Sequence, residues 1–154
     1  IKLREALPSD EGLLFNWVND SSVRFNSINK KIITYEEHSL WFKKSLESKK
    51  RFILIAIDTF NCPIGQIRFD CLIDEGEAFI DISIDASHRG LGLSSLLISQ
   101  SIKYIKEKVG FKPLFIAKVL AHNTASINAF KSANFNIKKL ENSENIITLS
   151  LKST

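Results

Sequence analysis

The chain has 154 residues, 44% of them hydrophobic and 25% charged, a balance that supports one globular core and excludes a disordered or fibrous polymer. Its net charge of +4 is too modest to indicate nucleic acid, no basic stripe with interleaved aromatics accompanies it, and an anionic cofactor or substrate accounts for it equally well. With no membrane-length apolar run and no visible secretory leader, the expectation is one domain over residues 1–154, cytoplasmic and not membrane-bound.

In chain order, residues 1–6 predict a first strand. Ser9 or Asp10 then caps a helix to about Asn19, with Leu13, Leu14, Trp17 and Val18 on one apolar face, and residues 19–22 break it. Thr34 and Glu37 form a capping box for a helix to about Ser48 that carries Leu40, Trp41, Phe42 and Leu46. Strands follow at 52–57 and 64–71, with Cys62 and Cys71 in or beside this hairpin. The two cysteines lack CxxC spacing and a His partner cluster, which fits a reduced compartment and predicts no metal site.

An acidic turn at 74–77 leads into an alternating strand, 78–84. Its Asp81 and Ser83 share a face with Phe79, opposite Ile80, Ile82 and Ile84. A strongly apolar helix runs from Ser94 to about Val109 and stops at Gly110. Residues 114–119 read as a buried strand. Asn123 caps a helix to about Ala133, and Asn134 suits the left-handed residue that ends it. Residues 137–140 and 146–151 make a closing hairpin around Asn142–Asn145, which could pair between two subunits as a homodimer.

Two stretches carry chemistry. His88-Arg89-Gly90-Leu91-Gly92-Leu93-Ser94 joins the alternating strand to a helix, and its glycines allow a tight turn that aims several N–H groups outward at a helix N-terminus. Such a cup binds phosphate through unpaired amides and the positive end of the helix dipole, and Arg89 adds a charge at its rim. It is not the dinucleotide fingerprint, because Ser95 stands where a third glycine belongs, and it lacks the Gly-Lys-Ser/Thr of a phosphate-binding loop. The second stretch is Asn123, Ser126, Phe130, Asn134 and Phe135 on and after the late helix.

Together these segments resemble the paired motifs of the GNAT family of N-acetyltransferases, with Ser94 where Gly or Ala is usual and Asn134 where Gly is usual. The element order βααβββαβαββ matches that family from end to end. The resemblance implies an α/β (α+β) fold: a central, mixed, mostly antiparallel twisted sheet of about seven strands, flanked by about four helices and splayed between strands four and five. It implies acetyl-CoA as cofactor. Arg89, Gly90, Leu91, Gly92, Leu93 and Ser94 would hold its pyrophosphate. Asn123, Ser126, Phe130 and Lys131 would line the pantetheine arm, and the backbone at Ile82, Ser83 and Ile84 would meet the thioester.

Segments 15–24, 37–42 and 64–70 are similar to a bacterial subgroup that acetylates amino groups on nucleotide-linked sugars, whose best-known member works in pseudaminic acid biosynthesis. Relatives there are sometimes fused or encoded with a sugar-pathway hydrolase. On this reading Trp17 stacks on a base or sugar, Arg24 binds a phosphate, and Gln66, Arg68 and His38 face the acceptor. The plainer reading gives Trp17 to the core and leaves Arg24, Arg68 and His38 as surface groups. The family's usual base is Glu where Phe79 stands, so Asp81 acting through water, with Ser83 beside it, and His38 compete for that role. The usual acid is Tyr where Phe130 stands, so water or another donor such as Ser126 protonates the thiolate, or it departs unprotonated, since a thiol's pKa is only moderately above neutrality. Two further readings share the fold: acetylation of a protein N-terminus or lysine, and an acyl-CoA-binding module without catalysis.

Overall fold

The protein, a computed structural model that describes residues 1–141 and 145–154, is built around seven strands and five helices. The order is β1 (Lys2–Glu5), α1 (Glu11–Val18), α2 (Ser21–Phe25), α3 (Tyr35–Glu47), β2 (Arg51–Ile57), β3 (Pro63–Leu72), β4 (Glu77–Ile84), α4 (Leu93–Lys108), β5 (Leu114–Leu120), α5 (Thr124–Ser132), β6 (Asn136–Glu141) and β7 (Ile146–Lys152). Single 3-10 turns stand at Pro8–Asp10, Ile73–Glu75 and Ala86–His88. No helix among the described residues is long and apolar enough to cross a membrane.

Sequence reading placed these elements to within about a residue, with two corrections. Residues 19–22 are not a plain break: the Asp20 carboxylate accepts the N–H groups of Ser22 and Val23 and starts α2, the helix beyond the expected four. Asp10 makes no side-chain cap for α1. Its carboxylate instead takes both terminal nitrogens of Arg4, at 2.7 and 2.8 Å, and the N–H of Leu7. The Thr34–Glu37 capping box forms as expected, and Asn134 has φ +71°. The closing hairpin forms too, although Asn142 lies outside the described residues.

The strands form one sheet in the order β1-β2-β3-β4-β5-β7-β6, antiparallel throughout except between β4 and β5. Alternation along β2 divides the interior in two. Leu54 and Ala56 face a larger core closed by Leu97, Ile98, Ile102 and Ile105 of α4 and by Ile127 and Phe130 of α5. Ile53, Ile55 and Ile57 face a smaller core with Leu14 and Trp17 of α1 and Phe42 of α3. Burying one such side chain contributes about 1.5–3 kcal/mol. Exposed ion pairs contribute about 0–1 kcal/mol, so these two cores hold the sheet between its helical layers.

One irregularity shapes the rest. β4 and β5 pair only at Glu77↔Leu114, Ala78↔Phe115 and Phe79↔Ile116, and beyond that rung β4 stays with β3 and β5 with β7. A Cβ on Gly65 of β3 would stand 2.8 Å from the Ser83 carbonyl oxygen and 2.9 Å from Ile84 Cδ1. Glycine at that position lets the far end of β4 lie against β3.

The Arg4–Asp10 pair gives the fold an acid sensitivity. Its first cause is the Arg4 hydrogen bond, which outweighs burial and holds the Asp10 carboxyl below its usual range, with the Leu7 N–H assisting. A lowered folded value means that the stabilisation is complete above the unfolded value of about 3.9 and fades as pH falls through the folded one. Asp10→Asn should cost about 2 kcal/mol at pH 7 and less at pH 3, as urea denaturation at the two pH values would measure.

Candidate active site

The turn before α4 is shaped by two glycines in the left-handed region, Gly90 at φ +78° and Gly92 at φ +72°. Gly92 is the N-cap of α4; no side chain caps it, and no acidic residue occupies the first turn. The leading amides of the helix therefore keep their donor capacity, and the dipole leaves that end positive. A Cβ at either glycine would meet nothing within 4 Å, so open space lies beside these donors. This arrangement fits a diphosphate. Arg89 stands at the rim, its Nε donating to the Ile84 carbonyl at 3.0 Å and an Nη to Asp20 at 3.0 Å.

The gap between β4 and β5 adds a second set of donors. The Asp85 N–H reaches across to the Ile64 carbonyl on β3 at 2.8 Å, so strand alternation turns the amides of Ile84 and Ile82 to the opposite edge. The Ile84 carbonyl, which receives Arg89, points the same way. The β5 ladder that would have paired those amides has ended at Phe79. Ser83 differs from the expectation here: its amide faces β3, so it contributes a hydroxyl and not an oxyanion donor.

Cup and gap open into one cleft of about 970 Å³. The structure brings Gly90, Gly92, Leu93, Ser94, Arg89, Asn123, Ser126 and Phe130 into its walls together with Ile82, Ser83 and Ile84. Leu91, 66% exposed, and the exposed Lys131 lie outside that lining. Asn123 caps α5 through the N–H of Ser126 at 3.3 Å. Phe130 is 2% exposed and packs edge-on against Phe135, ring centres 5.0 Å apart, so one of its faces belongs to the larger core.

At the other end of the cleft, Gln66 Nε2 lies 3.2 Å from both Asp81 Oδ2 and Ser83 Oγ and donates to each. An Arg68 Nη is 4.0 Å from Asp81, and the guanidinium sits 5.3 Å from the centre of the Trp41 ring. Asp81 is the most open of this group, and Arg68 also bonds Asp70 at 3.2 Å. The face that sequence alternation gave to Gln66, Arg68 and Asp70 is therefore the cleft face at its first two residues.

Trp17, Arg24, Glu37 and His38 also line this cleft, and each has a structural task besides. Trp17 is 8% exposed in the smaller core and donates its indole N–H to Asp85 at 2.9 Å, so most of the ring is spent on packing. Arg24 donates to the carbonyls of Val18, Asn29 and Lys31 and to Ser27 Oγ, tying down the connector between α2 and α3 and leaving little for a phosphate. His38 is 3% exposed among Phe15, Trp41 and Phe42, and its Nδ1 has no partner. Burial lowers its pKa against the pull of Glu11, so the ring is neutral at physiological pH. Glu37 returns to the Thr34 N–H as a cap.

The cysteines stand apart from the cleft: Cys62 is exposed in the β2–β3 turn, and burial pushes the Cys71 thiol up to about 11. Sequence reasoning missed three contributors. Asp85 anchors Trp17 and the 86–88 turn; the Ser87 hydroxyl, then the indole, hold it down at about 2. Its signal was an Asp two residues before a Ser at a strand end, an Asx turn. Asp20 was readable as a cap, and Trp41 stood in the 37–42 segment and on the apolar side of its helix without a contact of its own being assigned.

The family model described as an acetyltransferase (GNAT) domain matches residues 1–136. The chain belongs to the GNAT family. It is an N-acetyltransferase with acetyl-CoA as the acetyl donor. No curated protein matches it. Among solved structures, a domain from Methanocaldococcus jannaschii DSM 2661 superposes with TM-score 0.82 at 22% identity, covering 98% of this chain and 97% of that one. Spermidine N-acetyltransferase from Vibrio cholerae, in complex with CoA and spermine, gives 0.87 at 15% identity, over 99% and 95%. Aminoglycoside acetyltransferase AAC(6')-Ib with coenzyme A gives 0.82 at 17% identity, over 98% and 94%. At such identities these likenesses speak for the GNAT fold.

Gly92→Ala would force an L side chain into the left-handed region, at about 1–2 kcal/mol, and should distort the cup. We expect a raised KM for acetyl-CoA together with a lowered thermal midpoint, read from steady-state kinetics and calorimetry.

Proposed function

We propose that this GNAT enzyme acetylates the amino group of a nucleotide-linked amino sugar, the amine attacking the thioester directly. The observation that carries the reading is the row Gln66–Asp81–Ser83, which lines the cleft beside the two unladdered amides of Ile82 and Ile84. A hydroxyl-rich acceptor suits that row, which offers donors and acceptors on one strand face. The resemblance of segments 15–24, 37–42 and 64–70 supports the acceptor class. Trp17 and Arg24 line the same cleft but spend their donors on Asp85 and on backbone carbonyls, so Arg68 and Trp41 share with them the tasks of facing an anionic or planar part of the acceptor.

Acetyl-CoA, when bound, supplies an activated acyl group and a thiol leaving group. The amides of Gly92 and the first turn of α4, with Arg89, hold its diphosphate end. The N–H groups of Ile82 and Ile84 donate to the oxygen on which negative charge develops. Asp81, open to solvent, accepts the amine proton through a water, and Gln66 and Arg68 fix the carboxylate. Buried, neutral and caged by rings, His38 forms wall behind Trp41. Ser126, in the same wall as Phe130, carries the hydroxyl that the phenyl ring lacks.

The test is turnover of acetyl-CoA with a UDP-linked 4-amino sugar beside spermidine, an aminoglycoside and N-terminal peptides. The sugar nucleotide should give the highest kcat/KM; a higher value for a polyamine or peptide would sink the assignment. Asp81→Asn should lower kcat about 100-fold and leave the KM for acetyl-CoA near its original value.

A further inference from the structure

We propose that Asp20 is a positioning residue for Arg89, and that through it the α1–α2 corner sets the strength with which the cup grips the diphosphate of the acetyl donor. This inference rests on reading the cup as the diphosphate site.

Asp20 is fixed without help from Arg89. Its Oδ1 accepts the N–H groups of Ser22 at 3.1 Å and Val23 at 3.2 Å. Its neighbour Asn19 is locked to Ile33 by two side-chain bonds, at 2.7 and 2.9 Å. Arg24, one turn on, gathers the carbonyls of Val18, Asn29 and Lys31. Residues 19–33 are therefore a preformed strap that presents one anchored carboxylate. Burial raises the Asp20 carboxyl, but the Arg89 bond and the two amides together hold it below its usual range, so it is charged at neutral pH.

Arg89 has no comparable anchorage of its own. It follows a single 3-10 turn, and its long side chain has many rotamers to lose. The Ile84 carbonyl on Nε and Asp20 on one Nη fix two points of a planar group, which sets the plane and leaves the other Nη for a ligand at the rim. The strap also reaches the far side of the gap, where the Phe25 ring lies 4.7 Å from His122, the residue before Asn123. One segment thus touches the chain just after β4 and just after β5.

Asp20→Asn tests this, because Asn caps a helix about as well as Asp but lacks the charge that holds Arg89. The KM for acetyl-CoA and the calorimetric Kd for CoA should rise about two- to fivefold, the range of a half-exposed ion pair. Saturating kcat and the thermal midpoint should not change. In an Arg89→Ala background the same substitution should do nothing more to CoA binding. Should Asp20→Asn lower the midpoint, Asp20→Ser, another uncharged cap, gives the second reading. Unchanged or tighter CoA binding, or an equal loss in both backgrounds, overturns the proposal. If Arg89→Ala binds CoA as the parent does, the diphosphate role of Arg89 fails and this inference with it. A weakened Arg89→Ala beside a silent Asp20→Asn overturns the Asp20 role alone.

Discussion

Neighbouring parallel strands ordinarily keep pairing while both continue, because each backbone N–H or C=O left without a partner away from water carries a free-energy cost. Here β4 and β5 separate after three rungs, although β4 runs on to Ile84 and β5 to Leu120. The amides of Ile82 and Ile84 are thereby turned into the gap, whose walls both residues line. That position suits them to a carbonyl oxygen gaining charge, since they are already oriented and need no rearrangement as the charge grows.

The gap persists because each strand is held from its other side. β4 is paired with β3 along its whole length, and Gly65 lets the two backbones close up at the far end. β5 is paired with β7 over all seven of its residues. The larger core ties α4 beneath the β4 side and α5 beneath the β5 side, so the cup at residues 89–94 and the Asn123 cap arrive at opposite lips of the same opening. A packed interior resists deformation, and closing the splay would require repacking Leu97, Ile98, Ile127 and Phe130 together.

What the sequence revealed, and what it hid, follows from how far apart the partners are. Thr34 with Glu37, Asn123 with Ser126, and the glycines before α4 act within a few residues, so their spacing is their signature. Trp17 finds Asp85 at a separation of 68 residues, and Arg89 finds Asp20 at 69. No local pattern announces such partners, which is why Trp17 remained open between stacking and core. Arg24 was ambiguous for another reason: its acceptors are backbone carbonyls of an irregular connector, and every residue carries one. The supposed break at 19–22 and the N-cap at Asp20 use the same residue types, because side chains that compete with a helix in its interior are those that start one at its end.

The two phenylalanines at the family's usual acid and base positions have unequal consequences for the proposed reaction. Phe79 sits on the last rung of the β4–β5 ladder, whereas Asp81 is the next residue on that strand face, about 7 Å further along. A carboxylate there lies beyond the end of pairing, inside the opened cleft, and is reached by the donors of Gln66 and Arg68. Phe130 has only the Ser126 hydroxyl one turn back in the same wall, and its ring is partly spent on packing against Phe135. An alkyl amine with a pKa near that of lysine, about 10, is almost wholly protonated at neutrality and cannot attack until a proton is taken. A thiol with a pKa of about 8.5 departs as an anion at modest cost. Proton removal is therefore the step of the proposed reaction that most needs a side chain, and Asp81 stands in the cleft for it.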